Sequence, residues 1–232
     1  ALVQTDRAGR TMASIEDEYL GEPVIQSDPE RQRYLSVHVA EKIAVLTLCR
    51  EQALNALNHD LISQVSDVIS GLKKNRRIQG YPVKALIIRG TGRAFVAGAD
   101  VTEFYGSPAD RIESIALLNI RSFDAIENLK LPVIALLDGF TLGGGNELAM
   151  SAHYRIVTEN TRIGQPEVKL GIIPGYGGMQ RLPRLVGPAK AAEMSINGEP
   201  IDGREAVSVG LADAFAPAAT ALLYAFRVAQ AL

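Results

Sequence analysis

Two short apolar runs, VKALIIRG at 83–90 and LPVIALLDG at 131–139, each empty into a glycine-rich segment that is followed by helix-patterned sequence. A continuous apolar run of this length, bounded by glycine or proline, is the mark of a strand covered on both faces. Parallel strands of that kind need long crossover connections, and helices supply them. The chain therefore reads as strand, glycine loop and helix, repeated at least twice, in an α/β or α+β layout. No repeat is strong enough to indicate a solenoid.

The flanking sequence fits this frame. LSVHV and IAVLTL, on either side of Glu41-Lys42, form a hairpin by alternation and β-branching. Leu61, Val65, Val68, Ile69 and Leu72 recur at helical spacing, with Asp60 as the expected cap. Arg111 to Leu129 is also helical by pattern, YRIVT at 154–158 and RIGQPEV at 162–168 are short strand candidates, and helical segments start at Pro188 and Asp202. Residues 1–33 are polar and poor in aliphatics, so an extension or linker that packs loosely or not at all is expected before a core at 34–214. The alanine-rich stretch 215–232 reads as a curtailed helical segment.

Composition removes several function classes. With 24 basic and 26 acidic side chains the net charge is -2, which gives no field to collect nucleic acid or an anionic membrane surface. No run approaches the roughly 18 apolar residues of a membrane helix, and no secretory signal opens the chain, so a cytoplasmic protein is expected. The single cysteine, Cys49, cannot form an intramolecular disulfide and is expected to be a small buried residue. His38, His59 and His153 lack metal-ligand spacing and no HExxH or CxxC occurs, so no metal site is expected. A phosphate-binding GxxxxGK[ST], a complete dinucleotide fingerprint and a GxSxG elbow are likewise missing from the sequence.

The glycines point to other chemistry. Gly143, Gly144 and Gly145 lie between a buried strand and the helix-like NELAMSAH, where backbone can approach a ligand closely and first-turn amides have no internal acceptor. Such donors, with the positive end of a helix, stabilise negative charge on a polarised carbonyl, and one working donor is worth on the order of 3 kcal/mol. Ala97, Gly98, Ala99 and Asp100 stand at the end of the preceding strand and offer a second loop of the same kind. Glu147 and Glu167 flank these loops. Each has a plain structural explanation by itself. Facing one cleft, their repulsion and desolvation would leave one protonated and one ionised near neutrality, a general acid beside a general base.

Three segments in this order, AFVAGAD at 94–100, LGGGNELAM at 142–150 and GQPEVKLGIIPGYGG at 164–178, resemble the enoyl-CoA hydratase (crotonase) family. The likeness runs from about Tyr34 to about Ala214. It implies a crotonase-type spiral of β-β-α units, assembled as a homotrimer or a dimer of trimers. By the same resemblance the amides of Ala99 and Gly144 form an oxyanion hole for an acyl-CoA thioester, with Gly143 beside it. Ala97, Gly98 and Asp100 lie on the CoA path, Ala53 and Leu54 of the QALNALN segment line the pantetheine, and Gly175 helps to place a water. Coenzyme A enters as part of the substrate, with no permanently bound cofactor.

Relatives that hydrate carry two glutamates, and Glu147 and Glu167 occupy the matching positions. The resemblance thus implies reversible addition of water across a 2-enoyl-CoA double bond; Glu147 is read as the base and Glu167 as the acid, while which of the pair holds the proton stays open at the level of sequence. The alternative it leaves is a crotonase-family hydrolase or isomerase acting on a cyclic or aromatic-pathway CoA thioester. Where relatives often carry lysine near the CoA phosphates, this chain has Glu51, Gln52 and Thr102, so the expected cation is Arg50 or a group from a neighbouring subunit.

Overall fold

The computed structural model describes residues 19–232. Strands β1 (Leu35–Ala40) and β2 (Ile43–Leu48) form the expected hairpin, with His38 opposite Val45. Its tight turn places Glu41 at φ 53° and Lys42 at φ 66°, the double left-handed geometry whose twist matches paired strands. Helix α1 (His59–Asn75) follows, then β3 (Ala85–Gly90), β4 (Ala94–Val96), α2 (Ala109–Glu127), β5 (Val133–Leu137), β6 (Phe140–Leu142) and α3 (Gly144–Ser151). After these come β7 (Tyr154–Val157), β8 (Arg162–Gly164), α4 (Gly178–Val186), α5 (Pro188–Asn197), β9 (Ile201–Asp202), α6 (Gly203–Ser208), β10 (Ala214–Phe215) and α7 (Ala221–Ala231).

The strands sort into two main sheets by a simple rule. Each longer strand of a β-β-α unit joins a six-stranded sheet ordered β1-β2-β3-β5-β7-β10, which is parallel from β2 onward. Each following short strand joins a four-stranded sheet ordered β9-β8-β6-β4, in which β6 runs parallel to both β4 and β8. This is the expected spiral.

Burial explains why the long strands lack polar alternation. Ile43 and Val45, Ala85 and Ile87, and Ile134 and Leu136 face one apolar cluster, while Ala44 and Leu46, Leu86 and Ile88, and Val133 and Ala135 face another. One face of the sheet is covered by α7 through Ala221, Leu222, Ala225, Phe226 and Ala229, and the other cluster takes in α1 and α2. The segment 215–232 is therefore helical from Ala221 and integral to the core.

Several expectations are corrected. Residues 1–18 of the supposed extension lie outside the described residues, but 19–33 pack against the core. Leu20 is buried with α7, the Tyr19 ring meets Phe226 edge-on at 4.8 Å, and Ile25 bridges Val37. The folded unit thus begins before Tyr34, because a few apolar contacts suffice to dock a polar segment. The short strands β4 and β6 replace what the sequence showed only as glycine-rich connections. RIGQPEV is a strand only over Arg162–Gly164; it turns into the 3-10 helix Pro166–Leu170, since Pro166 has no N–H for a ladder. Cys49 is half-buried, with its thiol donating to the Thr47 carbonyl at 3.3 Å.

The cap of α1 is Asn58, whose Oδ1 accepts from the Leu61 amide at 2.9 Å; Asp60 lies inside the first turn, where its charge suits the helix dipole and its Oδ1 lies 3.7 Å from His59 Nδ1. Asn58→Ala should lower unfolding stability by about 1 kcal/mol. Asp60→Ala should cost only a few tenths of that unit, as for a surface dipole term. Urea denaturation of both variants checks the assignment, and a larger loss for the Asp60 variant would reverse it.

Candidate active site

The site is assembled at the carboxyl ends of three neighbouring parallel strands. β4 ends at Val96 and is followed by 97–100; β6 ends at Leu142 and is followed by Gly143 and α3; β8 ends at Gly164 and leads to Glu167. Parallel pairing makes these exits adjacent. The Gly143 amide donates to the Gly164 carbonyl at 2.9 Å, which carries the β6–β8 ladder one residue past the strands. Gly143 has φ 53°, and a Cβ there would lie 3.0 Å from Oε1 of Glu167. A Cβ on Gly145 would overlap the Val96 carbonyl, so glycine at these two positions lets α3 start against β4 and beside Glu167.

The loop 97–100 is held from the other side by the 54–57 segment. Ala97 donates to the Leu54 carbonyl at 3.0 Å, Leu57 to the Gly98 carbonyl at 2.9 Å, and Asp100 to the Leu57 carbonyl at 2.8 Å. In such a bridge alternate peptides face opposite ways, so the Ala99 amide turns away from Leu57. Among the described residues, no protein acceptor takes a hydrogen bond from the Ala99 or Gly144 amide. Both loops thus present a free donor at the ends of adjacent strands. Gly175 lies between Pro174 and Tyr176, and its amide has no protein acceptor among the described residues either.

Glu147 projects from the first turn of α3 and Glu167 from the 3-10 turn after β8; they are 1% and 8% exposed. Oε1 of Glu147 accepts from the amides of Tyr176 at 2.8 Å and Gly178 at 2.6 Å. Burial pushes the Glu147 pKa from 4.5 up to about 7; the two amides and the Arg181 guanidinium pull against this, and the charge of Glu167 adds to it. Burial raises the Glu167 pKa too. Its Oε2 is buried with no hydrogen-bond partner, a position that favours a protonated oxygen over an ionised one. The two carboxylates are therefore buried close enough for the charge of Glu167 to act on Glu147, and a proton is retained there near neutrality.

Other expected residues serve the frame. The Asp100 carboxylate accepts from the Thr102 amide and hydroxyl at 3.1 and 2.6 Å and pairs with Arg50 at 2.6 Å. Arg50 also donates to the Ala56 carbonyl at 3.0 Å, so its charge is engaged internally. The surface groove next to half-buried Leu54 is lined by Glu51, Gln52 and Arg93 as well. Arg93 is the basic group there and escaped sequence reasoning; its place immediately before β4, in GTGRAF, was the available signal. Ala53 lies half-buried in the 3-10 turn preceding Leu54.

Sequence reasoning also missed Arg181. Its guanidinium is 8% exposed, binds Asp124 and Glu127 of α2 at 2.6 and 2.8 Å, and donates to the Tyr176 carbonyl at 3.2 Å. It fixes the loop whose amides hold Glu147. The described residues contain no cluster of three or more His, Cys, Asp or Glu side chains arranged to hold a metal ion, and no helix among them is long and apolar enough to cross a membrane.

Residues 38–232 match the family described as enoyl-CoA hydratase/isomerase. Crotonyl-CoA hydratase of Syntrophomonas wolfei is 42% identical over 172 residues, covering 74% of this chain and 64% of that protein. Short-chain-enoyl-CoA hydratase of Clostridium acetobutylicum is 43% identical over 171 residues, covering 73% of this chain and 64% of that one. The chain thus spans just under two thirds of the length of these curated relatives. An enoyl-CoA hydratase from Bacillus anthracis superposes with a TM-score of 0.80 at 31% identity, over 85% of this chain and 75% of the other.

The raised carboxyl pKa values have a measurable consequence. Glu147 holds its proton to about pH 7 when folded but only to about 4.5 when unfolded, so the folded state binds more protons in between. Stability attributable to this group is therefore full below about pH 4.5, falls as pH rises to about 7 and is level above it, with a total on the order of a few kcal/mol. Urea unfolding at pH 5 and pH 8 should show a smaller fall for Glu147→Gln than for the unchanged protein. Equal falls in the two would place the titration elsewhere.

Proposed function

Because the chain belongs to the enoyl-CoA hydratase/isomerase family, we propose that it adds water reversibly across the 2,3 double bond of an acyl-CoA thioester. The observation that carries this reading is the pairing of two buried, mutually coupled glutamates with free amides at the ends of adjacent strands. In the proposed complex the thioester oxygen accepts from the Ala99 and Gly144 amides, which draws electron density from C3. Glu147 removes a proton from water as its oxygen bonds to C3. The negative charge moves to the thioester oxygen, held by the two amides, and returns to C2 as Glu167 delivers its proton there.

The hydrogen bonding supports this division of labour. Burial raises the pKa of both carboxyls, and Glu147 ionises as the pH passes about 7; its two amide donors then hold the charge, whereas Glu167 Oε2 has no donor. The free Gly175 amide stands one residue from the Tyr176 amide that holds Glu147, a suitable place to orient the water. Coenzyme A is substrate here. Its pantetheine runs past Ala53, Leu54, Ala97 and Gly98, and its phosphates lie toward Arg93.

We also propose that the protein self-assembles, in line with the trimer or dimer of trimers implied by the resemblance. Leu170, Ile172, Ile173 and Met179 surround the Glu147-holding loop and are 63%, 55%, 76% and 49% exposed, a concentration of apolar surface that a second copy of this chain would cover. Light scattering should show an oligomer, and Ile173→Asp should shift the mass toward monomer; an unchanged mass would move the interface elsewhere.

Glu147→Gln and Glu167→Gln should each slow hydration of crotonyl-CoA by roughly 10²- to 10⁴-fold while acyl-CoA binding survives. Loss of conjugated-thioester absorbance measures the rate, and product mass identifies the reaction. A gain of one water with the carbon skeleton intact is expected. Carbon–carbon cleavage or simple isomerisation would replace hydration as the activity.

A further inference from the structure

A buried polar side chain with no part in the steps above lies at the junction of the Gly143 loop and the loop that holds Glu147. Gln165 follows directly on β8 and is 1% exposed. It occupies the cap position of the 3-10 turn Pro166–Leu170, yet its side chain makes no capping hydrogen bond there. The amide turns back toward β6 instead. In the orientation that the surrounding donors and acceptors select, Nε2 donates to the Gly143 carbonyl at 3.1 Å and to the Gly164 carbonyl at 3.2 Å. The opposite end of the amide lies against Gly178, where an added Cβ would overlap it.

The Gly143 carbonyl belongs to the same peptide unit as the Gly144 amide. In a planar trans peptide the two point in opposite directions, so whatever holds the carbonyl also aims the donor. This unit joins two glycines, and Gly143 sits at φ 53° and ψ -121°, a region that glycine enters without strain. With no side chain on either flank, its orientation depends on outside restraint. The Gly143 carbonyl has two holders: the Glu147 amide at 2.9 Å, which is the first bond of α3, and Gln165. The second ties the peptide to β8. The Gly164 carbonyl, which takes the other Nε2 hydrogen, also accepts from the Gly143 amide at 2.9 Å.

We propose that Gln165 is a positioning residue for the oxyanion donor: by gripping the carbonyl of the Gly143–Gly144 peptide it keeps the Gly144 amide aimed at the thioester oxygen. The inference rests on the hydratase reading and adds to it a residue that acts through another group. A hydrogen bond at the carbonyl also polarises the peptide, which makes its N–H a stronger donor.

The test uses Gln165→Met, which keeps the length of the side chain and loses the donor, with Gln165→Leu as a second apolar variant should the first not fold. Infrared spectra of bound butyryl-CoA, carbon-13 labelled at the thioester carbonyl, read the donors directly, because hydrogen bonds lower the stretching frequency. The band should lie below that of free butyryl-CoA in the unchanged protein and return part of the way in the variant. The kcat for crotonyl-CoA hydration should fall by about tenfold or more while calorimetric affinity for butyryl-CoA changes by less than about threefold, since a misaimed donor weakens the transition state more than the ground state. The pH–rate profile should keep its limbs. An identical lowered band in variant and unchanged protein would overturn the proposal and leave the hydratase reading standing. A displaced pH limb with that band unmoved would overturn it as well, by placing the effect of Gln165 on Glu147. A band that moves as expected in a protein that hydrates no thioester would support the positioning role and end the hydratase reading. A band at the free position in the unchanged protein would overturn both.

Discussion

The parallel register of β4, β6 and β8 is the constraint on which the site depends. Neighbouring strands lie about 4.8 Å apart, so three that point the same way release their chains side by side at one edge. Ala94 and Val96 align with Phe140 and Thr141, and Arg162 through Gly164 align with Phe140 through Leu142. Ala99, Gly144 and Glu167, separated by tens of residues in sequence, become neighbours without any need to bind one another. The longer six-stranded sheet contributes indirectly: buried on both faces, it fixes where each β-β-α unit hands its chain to the short strands.

Placing two carboxyl groups in that enclosure costs solvation, and the surrounding groups show how the cost is contained. Glu147 has two backbone donors, which favour charge, while Glu167 has a bare oxygen, which favours a proton. Arg181 lies close enough to lower the Glu147 pKa, yet its charge is already matched by Asp124 and Glu127, so its pull is limited. The outcome is a pair that holds a proton near neutrality instead of a buried ion pair locked in one state. A stronger local cation would ionise both carboxyls and remove the acid that hydration requires.

Much of this was legible in the residues, and the failures have physical causes. β3 and β5 announced themselves because strands buried on both faces are continuously apolar, and the hairpin because Glu41 and Lys42 sit between two β-branched runs. AFV and FTL are each one turn of the pleat, too short for any periodicity, so the second sheet was invisible even though it positions the site. Asn58 lost out to Asp60 as a cap because both residue types cap helices and only the backbone angles distinguish them. The 19–33 segment looked detached since its composition is polar, but Tyr19, Leu20, Val24 and Ile25 meet the core. The two glutamates were individually readable; their coupling, and the Tyr176 and Gly178 amides that govern it, depended on a loop geometry that the residue types do not encode.

The Ala99 side of the site shows why charged residues are buried so near an apolar substrate path. Arg50 and Asp100 form an ion pair with side chains 16% and 11% exposed, an arrangement that by itself adds little stability. Here it joins a wider set of fixed groups. Fully buried Asn55, at φ 57°, accepts from the Arg50 amide at 2.8 Å and donates to the Thr91 and Ala94 carbonyls at 2.9 and 2.8 Å. Burial raises the Asp100 pKa, but hydrogen bonds from Thr102 and Arg50 outweigh it and keep the carboxyl below its ordinary value. The pair stays charged, and hydrogen bonds tie β4, the 50–57 segment and the 97–100 loop together. A donor aimed at developing charge is effective to the extent that it need not reorient when that charge appears. The ion pair is therefore best understood through the rigidity it gives the Ala99 peptide, which a hydrophobic replacement of equal volume would not supply.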